Sequence, residues 1–126
     1  MSTDFSVTFA LDETRGLIRA KAAGPIDSAG FVDGAIAFCS GLEAPWRYNR
    51  LNDLSDCTGF VSYDDLSRMA AFWAPFTSRL SIPLKVAVVT TNRLVAARLP
   101  TVEQLYTGQE HRVFTTVEEA EAWLLG

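Results

Sequence analysis

The run Leu84-Lys85-Val86-Ala87-Val88-Val89-Thr90 constrains the fold of this chain more than any other segment. It is short, almost continuously apolar and rich in β-branched residues, the pattern of a central parallel strand buried on both faces. Such a strand needs helices to cover it, and the flanking segments supply them. Before it, Leu66, Met69, Ala70, Trp73 and Phe76 recur at helical spacing to about Arg79, with Pro75 either kinking the helix or ending it early. After it, Thr91-Asn92 caps a helix from Arg93 to about Tyr106, which Pro100 interrupts, so that two segments are possible, and Gly108 ends it.

The rest of the chain continues this alternation. Phe5, Val7, Phe9 and Leu11 alternate with polar or small residues, as do Ile18, Ala20 and Ala22 with Arg19 and Lys21. Asp12 to Gly16 reads as the turn between them, so the chain opens with an antiparallel hairpin, closed by Gly24-Pro25. Asp27-Ser28 caps a first helix carrying Phe31, Val32, Ala35, Ile36, Phe38 and Cys39 to about Ser40, ended by Gly41. Gly30 and Gly34, four apart within it, imply close packing of this helix against a sheet. A strand over Trp46 to Leu54 follows Pro45, then a loop of Asp56, Cys57, Thr58 and Gly59. Ser62-Tyr63-Asp64-Asp65 is a weak capping box for the second helix, with Asp in place of Glu. His111 to Phe114 is a last short strand, and Thr115 or Thr116 caps a last helix with Ala120, Trp123 and Leu124 on its buried stripe. The order is ββαβαβαβα. This predicts one α/β domain over residues 1–126, with a five-stranded mixed sheet, one antiparallel edge pair and four helices.

Composition narrows the function classes. With 126 residues, 48% hydrophobic, the chain is long and apolar enough for a core. Eleven Lys and Arg against fifteen Asp and Glu leave a net charge of −4, which argues against nucleic acid as a partner. No apolar run approaches the ~20 residues that span a bilayer. Met1 to Ser6 is polar, so no secretory signal and a cytoplasmic location are expected. Two cysteines make no disulfide scaffold, and no Walker or dinucleotide-binding glycine motif is present, so no cofactor is expected; no metal is expected either, since apart from Cys57 no His or Cys sits at ligand spacing beside Asp53 and Asp56.

The element order, the strand Leu84–Thr90, the stretch Ala96-Ala97-Arg98 and the ending Val113-Phe114-Thr115-Thr116-Val117-Glu118-Glu119-Ala120-Glu121-Ala122-Trp123-Leu124 resemble SpoIIAA-like proteins, also described as STAS/SEC14-like domains. Arg50-Leu51-Asn52-Asp53-Leu54-Ser55 resembles the Asp-Leu-Ser strand end of STAS domains. The resemblance implies a mixed sheet with helices on it, and binding of a small ligand or a protein partner. In anti-sigma-factor antagonists of this kind, an Asp-Ser pair at the start of the second helix carries a regulatory phosphoserine. The matching place here is Val61-Ser62, where Val61 replaces the Asp. The SEC14-like side of the group implies apolar or lipidic ligands.

The candidate site residues follow. Ser62 at a helix N-terminus is a possible phosphorylation site or an ordinary cap. Asp53, Ser55 and Asp56 lie at a strand end, where open α/β sheets bind ligands and where turns also use these residue types. His111, the only histidine, sits between Glu110 and Arg112 and reads as a surface residue. Without Gly-x-Ser-x-Gly no catalytic residue is assigned, and an enzyme using Asp53, Asp56 and His111 is only a third reading. Cys39 reads as core and Cys57 as a loop thiol. Phe72, Trp73 and Phe76, with Trp46 and Tyr48, form an aromatic face wider than one sheet contact requires. It reads as core packing, as the contact of a homodimer, or as the lining of an apolar pocket between the second and third helices, with Arg79, Arg93 and Arg98 on its rim. The preferred reading is a non-enzymatic binding or regulatory module, homodimeric, with a protein or small apolar partner. The alternative is a phospho-switch on Ser62.

Overall fold

In a computed structural model, which describes residues 4–126, one five-stranded sheet has its strands in chain order. Strands β1 (Ser6–Asp12) and β2 (Leu17–Pro25) form the antiparallel hairpin, with Leu11 opposite Ile18. Strands β3 (Asn49–Thr58), β4 (Leu84–Val89) and β5 (Gln109–Phe114) follow in parallel. Part of the polar stretch Met1 to Ser6, on which the absence of a secretory signal was argued, lies outside the described residues. Among the described residues no helix is long and apolar enough to cross a membrane.

Helices α1 (Ser28–Ser40), α2 (Tyr63–Thr77), α3 (Arg93–Ala97) and α4 (Leu99–Leu105) lie on one side of the sheet. Helix α5 (Val117–Leu125) covers the other, setting Ala120 and Leu124 against Leu17, Leu51, Ala87 and Val89. The alternation of β4 sorts its residues cleanly: Ala87 and Val89 turn toward α5, while Leu84 and Val88 join the clusters under the other helices.

The caps anticipated from the residue types form. Asp27 accepts from the Gly30 N–H, Ser62 from Asp65, Asn92 from Leu94 and Thr116 from Glu119. Gly34 meets the sheet as expected: a Cβ there would lie 3.0 Å from the Phe9 ring. Gly30 does not, because its nearest neighbour is the capping carboxylate of Asp27.

Three boundaries differ from expectation. Trp46 lies in a 3-10 turn, Pro45–Arg47, because Pro45 fixes a helical φ and carries no N–H for a strand ladder. Strand β3 therefore starts later and runs through Asp56, Cys57 and Thr58, which pair with β2 rather than forming a loop. The pairing skips a step between Lys21 and Ala23, and there the Asp53 carboxylate accepts both the N–H and the hydroxyl of Ser55, at 3.1 and 2.6 Å. Among the described residues five α-helices form rather than four, because the segment before Tyr106 takes its two-segment form and divides at Arg98, two residues ahead of Pro100. Pro75 sits in the last turn of α2, which ends at Thr77.

Candidate functional site

Strand register builds the site. Ile18, Arg50, Val86 and His111 are mutual neighbours across four strands, and Ala20, Asn52, Val88 and Val113 form the next row. These rows face α1, α2 and α4. Over them lies a cavity of about 100 Å³. Its floor is Arg50, Asn52, Leu54, Val86, Val88, His111 and Val113. Phe31 and Val32 of α1 and Leu66 and Met69 of α2 form its sides, and Val95, Leu99 and Val102 of α3 and α4 form its roof. Phe60, Val61, Arg98 and Tyr106 complete it. The lining is aliphatic and aromatic apart from Asn52, two arginines, Tyr106 and His111, and it holds no acidic residue.

Arg50 is the unusual member. It is 3% exposed, and among the described residues no carboxylate pairs with it. Its guanidinium stacks on the fully buried Trp73 at 4.1 Å and donates one hydrogen bond, from Nη2 to Oε1 of Gln109 at 2.6 Å. Its Nε and Nη1 have no partner, nor do Trp73 Nε1, Gln109 Nε2 and His111 Nδ1. Burial lowers the Arg50 guanidinium to about 10, against small opposing effects from Tyr106 and Cys39, so it stays charged at neutral pH.

The surroundings respond to that charge. Burial, and secondarily Arg50, push His111 down to about 3, so the imidazole is neutral. Its Nδ1 lies 3.8 Å from Glu103, which is therefore no ion pair; Glu103 instead accepts the backbone N–H of His111. Burial raises the Tyr106 hydroxyl to about 12 despite Arg50, and it donates to the Leu66 carbonyl at 3.2 Å. Burial likewise raises the Cys39 thiol.

The residues singled out from sequence are dispersed. His111 is 7% exposed and lines the cavity, whereas a surface position was expected. Its charged neighbours Glu110 and Arg112 misled, because a strand turns alternate residues to opposite faces. Arg98 lines the cavity, but its Nη1 donates to the Val61 carbonyl at 2.6 Å and its guanidinium lies 4.9 Å from the Phe60 ring.

The aromatic face does not form one surface. Trp73 is wholly buried, so it serves as core and as the platform under Arg50 rather than as an interface. Phe72 and Phe76 pack around it, ring centres 5.5 and 6.1 Å away, and neither lines the cavity. Phe76 stacks on Trp46 in a separate open groove with Pro75, Arg79 and Leu80. Arg93, placed on the rim, lies in the first turn of α3 and does not line the cavity.

The other candidates lie elsewhere. Asp53 is buried and bonded to Ser55, with Lys21 at 3.8 Å, while Ser55 and Asp56 are exposed. Burial, followed by Asp56 and Asp53, raises the Cys57 thiol. Among the described residues no cluster of three His, Cys, Asp or Glu side chains is placed to hold a metal ion. Ser62 is half-buried, and its hydroxyl bonds to Asp65 while its backbone N–H donates to Ser28 Oγ. Asp65, held below the usual carboxylate range by hydrogen bonds from Ser28 and Arg68, is charged where a phosphate on Ser62 would sit.

Arg50 and the cavity roof escaped the sequence reading. The roof has a signal, since Val95, Arg98, Leu99 and Val102 recur at i, i+3, i+4 and i+7. Arg50 has a weaker one: it shares the alternation of Asn52 and Leu54, but a strand covered on both faces does not announce which set faces a cavity.

This architecture, a mixed sheet opened by an antiparallel hairpin and covered on one side by a lone C-terminal helix, is the SpoIIAA-like fold. An uncharacterized protein of the DUF3478 family with that fold, from Shewanella loihica, superposes with a TM-score of 0.61 at 16% identity, over 98% of both chains. An anti-sigma factor antagonist from Mycobacterium paratuberculosis superposes with a TM-score of 0.57 at 19% identity, over 94% of both. No protein-family model and no curated protein sequence matches the chain.

Proposed function

We propose that this protein is a non-enzymatic binding module that takes a small, largely apolar molecule into the space between α2 and the α3–α4 pair. The observation that carries this reading is the cavity itself, about 100 Å³ with predominantly apolar walls. For scale, an engineered apolar cavity of ~150 Å³ stays dry and admits benzene. The non-enzymatic part draws support from the lining. It offers no Ser, Thr, Cys, Asp or Glu, and its imidazole, with a pKa of about 3, is a poor base at neutral pH.

The phospho-switch reading rests on fold likeness and on the place of Ser62 at the N-terminus of α2, and Asp65 beside Ser62 opposes it electrostatically. A protein partner remains compatible with ligand binding, the ligand then acting as its signal. Native mass spectrometry of the purified chain tests the reading: a retained small molecule, or uptake of added apolar probes at one site per chain, is expected. Bare protein that takes up none of them refutes it. The same spectrum counts subunits and so decides the homodimer expectation.

A further inference from the structure

Resting on that reading, we propose that the bound molecule is a monocarboxylate, its head group paired with Arg50 and its hydrocarbon part lying against Leu66, Met69, Val88 and Val102.

The argument starts from an imbalance. A buried guanidinium is ordinarily matched by a carboxylate, because desolvating an isolated charge costs several kcal/mol or more. Here, among the described residues, the only acceptor bonded to Arg50 is the neutral Oε1 of Gln109, and Trp73 supplies a π face. Among the described residues, four of the five unpaired buried side-chain atoms are N–H donors, Nε and Nη1 of Arg50, Nε1 of Trp73 and Nε2 of Gln109; the fifth, Nδ1 of His111, donates or accepts according to its tautomer. A cluster rich in donors and poor in acceptors calls for an acceptor-rich guest.

Arg50 is among the residues that line the cavity, as are Tyr106 and His111 beside its charge, so a guest in that space lies next to the Arg50 side chain. A carboxylate offers two charged acceptor oxygens for these free donors, and charge-assisted hydrogen bonds of this kind are the strong ones for arginine. Charge number separates it from phosphate. Of the two cationic side chains in the lining, Arg98 is only half-buried and keeps its charge in contact with solvent, so Arg50 carries the one positive charge that is both buried and, among the described residues, without a charged partner. One uncompensated positive charge matches one negative charge; a dianion would leave a buried negative charge unpaired. The apolar remainder and the small volume select a short aliphatic or aromatic acid over a polar one.

Hexanoate and hexan-1-ol, equal in chain length and different in charge, test this by calorimetry on the full chain at neutral pH. Hexanoate is expected to bind at least tenfold more tightly. Arg50→Met is expected to remove that preference while hexan-1-ol binding persists. Because that variant changes a core residue, the wild-type Arg50 Nε–H resonance is followed as well; it should shift with hexanoate and not with hexan-1-ol. Equal affinity for both probes would overturn the carboxylate inference and leave the apolar-cavity reading standing. Binding of neither would overturn both. Hexanoate preference that survives intact in a folded Arg50→Met protein would place the anion elsewhere and refute the assignment.

Discussion

Acidification should destabilise this protein in a range where only one side chain titrates. His111 is the sole histidine, and burial with Arg50 alongside lowers it from 6.5 to about 3. Between those values the unfolded chain binds a proton that the folded chain refuses, so stability is fully present above about pH 6.5 and falls as pH drops. Each pH unit well below 6.5 costs up to ~1.4 kcal/mol, which amounts to about 2 kcal/mol between pH 7.5 and pH 5. Asp12, Asp65 and Glu121 also hold lowered values through their Arg and Ser partners, but their contribution is lost only as pH falls below about 4.5. The upper window therefore isolates His111. Urea denaturation followed by tryptophan fluorescence should show the midpoint falling by about 1 M across it. His111→Phe, which keeps a planar ring against Tyr106, should flatten the dependence. A wild-type midpoint constant from pH 7.5 to 5 would refute the placement of a neutral imidazole beside Arg50. So would an equal fall in the variant.

Two further outcomes follow from the backbone. Gly108 has φ +74°, and a Cβ there would lie 2.2 Å from the Thr77 carbonyl oxygen, so Gly108→Ala should cost about 3 kcal/mol or more and lower Tm by roughly 10 °C. Thermal unfolding followed by circular dichroism reads this directly, and an unchanged Tm would mean that the α2 end and the β5 start are not so closely apposed. Ser62→Ala should lose about 1 kcal/mol through the missing cap on α2, in the same assay, because its hydroxyl accepts the Asp65 N–H. A variant as stable as wild type would show that Ser62 does not cap the helix.

Much of the fold was legible because each local signal agreed with the global one. Alternation in Phe5 to Leu11 and Leu17 to Ala22 announced the hairpin, and the apolar run at Leu84 announced a strand with helices on both faces. Caps were readable because Asp27, Ser62, Asn92 and Thr116 act on donors two or three residues away. Trp46 and Cys57 misled because their neighbourhoods carry mixed signals. Pro45 sets a turn among strand formers, and the polar Asp56 to Thr58 are drawn into β3 by pairing with β2, a contact distant in sequence. The candidate site was the least legible part. It depends on cross-strand register, which places Arg50 beside Val86 and His111 beyond it, and no periodicity along one segment encodes that arrangement. The breadth of the aromatic stripe on α2 goes to the platform under Arg50 and to the stacking of Phe76 on Trp46, and none of Phe72, Trp73 and Phe76 lines the cavity over the sheet.

The roof carries a kinetic consequence. Neither α3 nor α4 contains a fully buried side chain, and the segment is tied down chiefly by Asn92 to the Gly59 carbonyl, Arg98 to the Val61 carbonyl and the Tyr106 hydroxyl to the Leu66 carbonyl. Segments whose apolar side chains are only partly buried, as Val102 and Leu105 are here, open at less than the free energy of global unfolding. In the proposed binding role, traffic in and out of the interior would be paced by how often these tethers let go together. The residence time of the proposed guest would then depend on the roof's hydrogen bonds as well as on the guest's own grip, so a change at Asn92 or Arg98 is expected to alter exchange rates without touching the floor of the cavity.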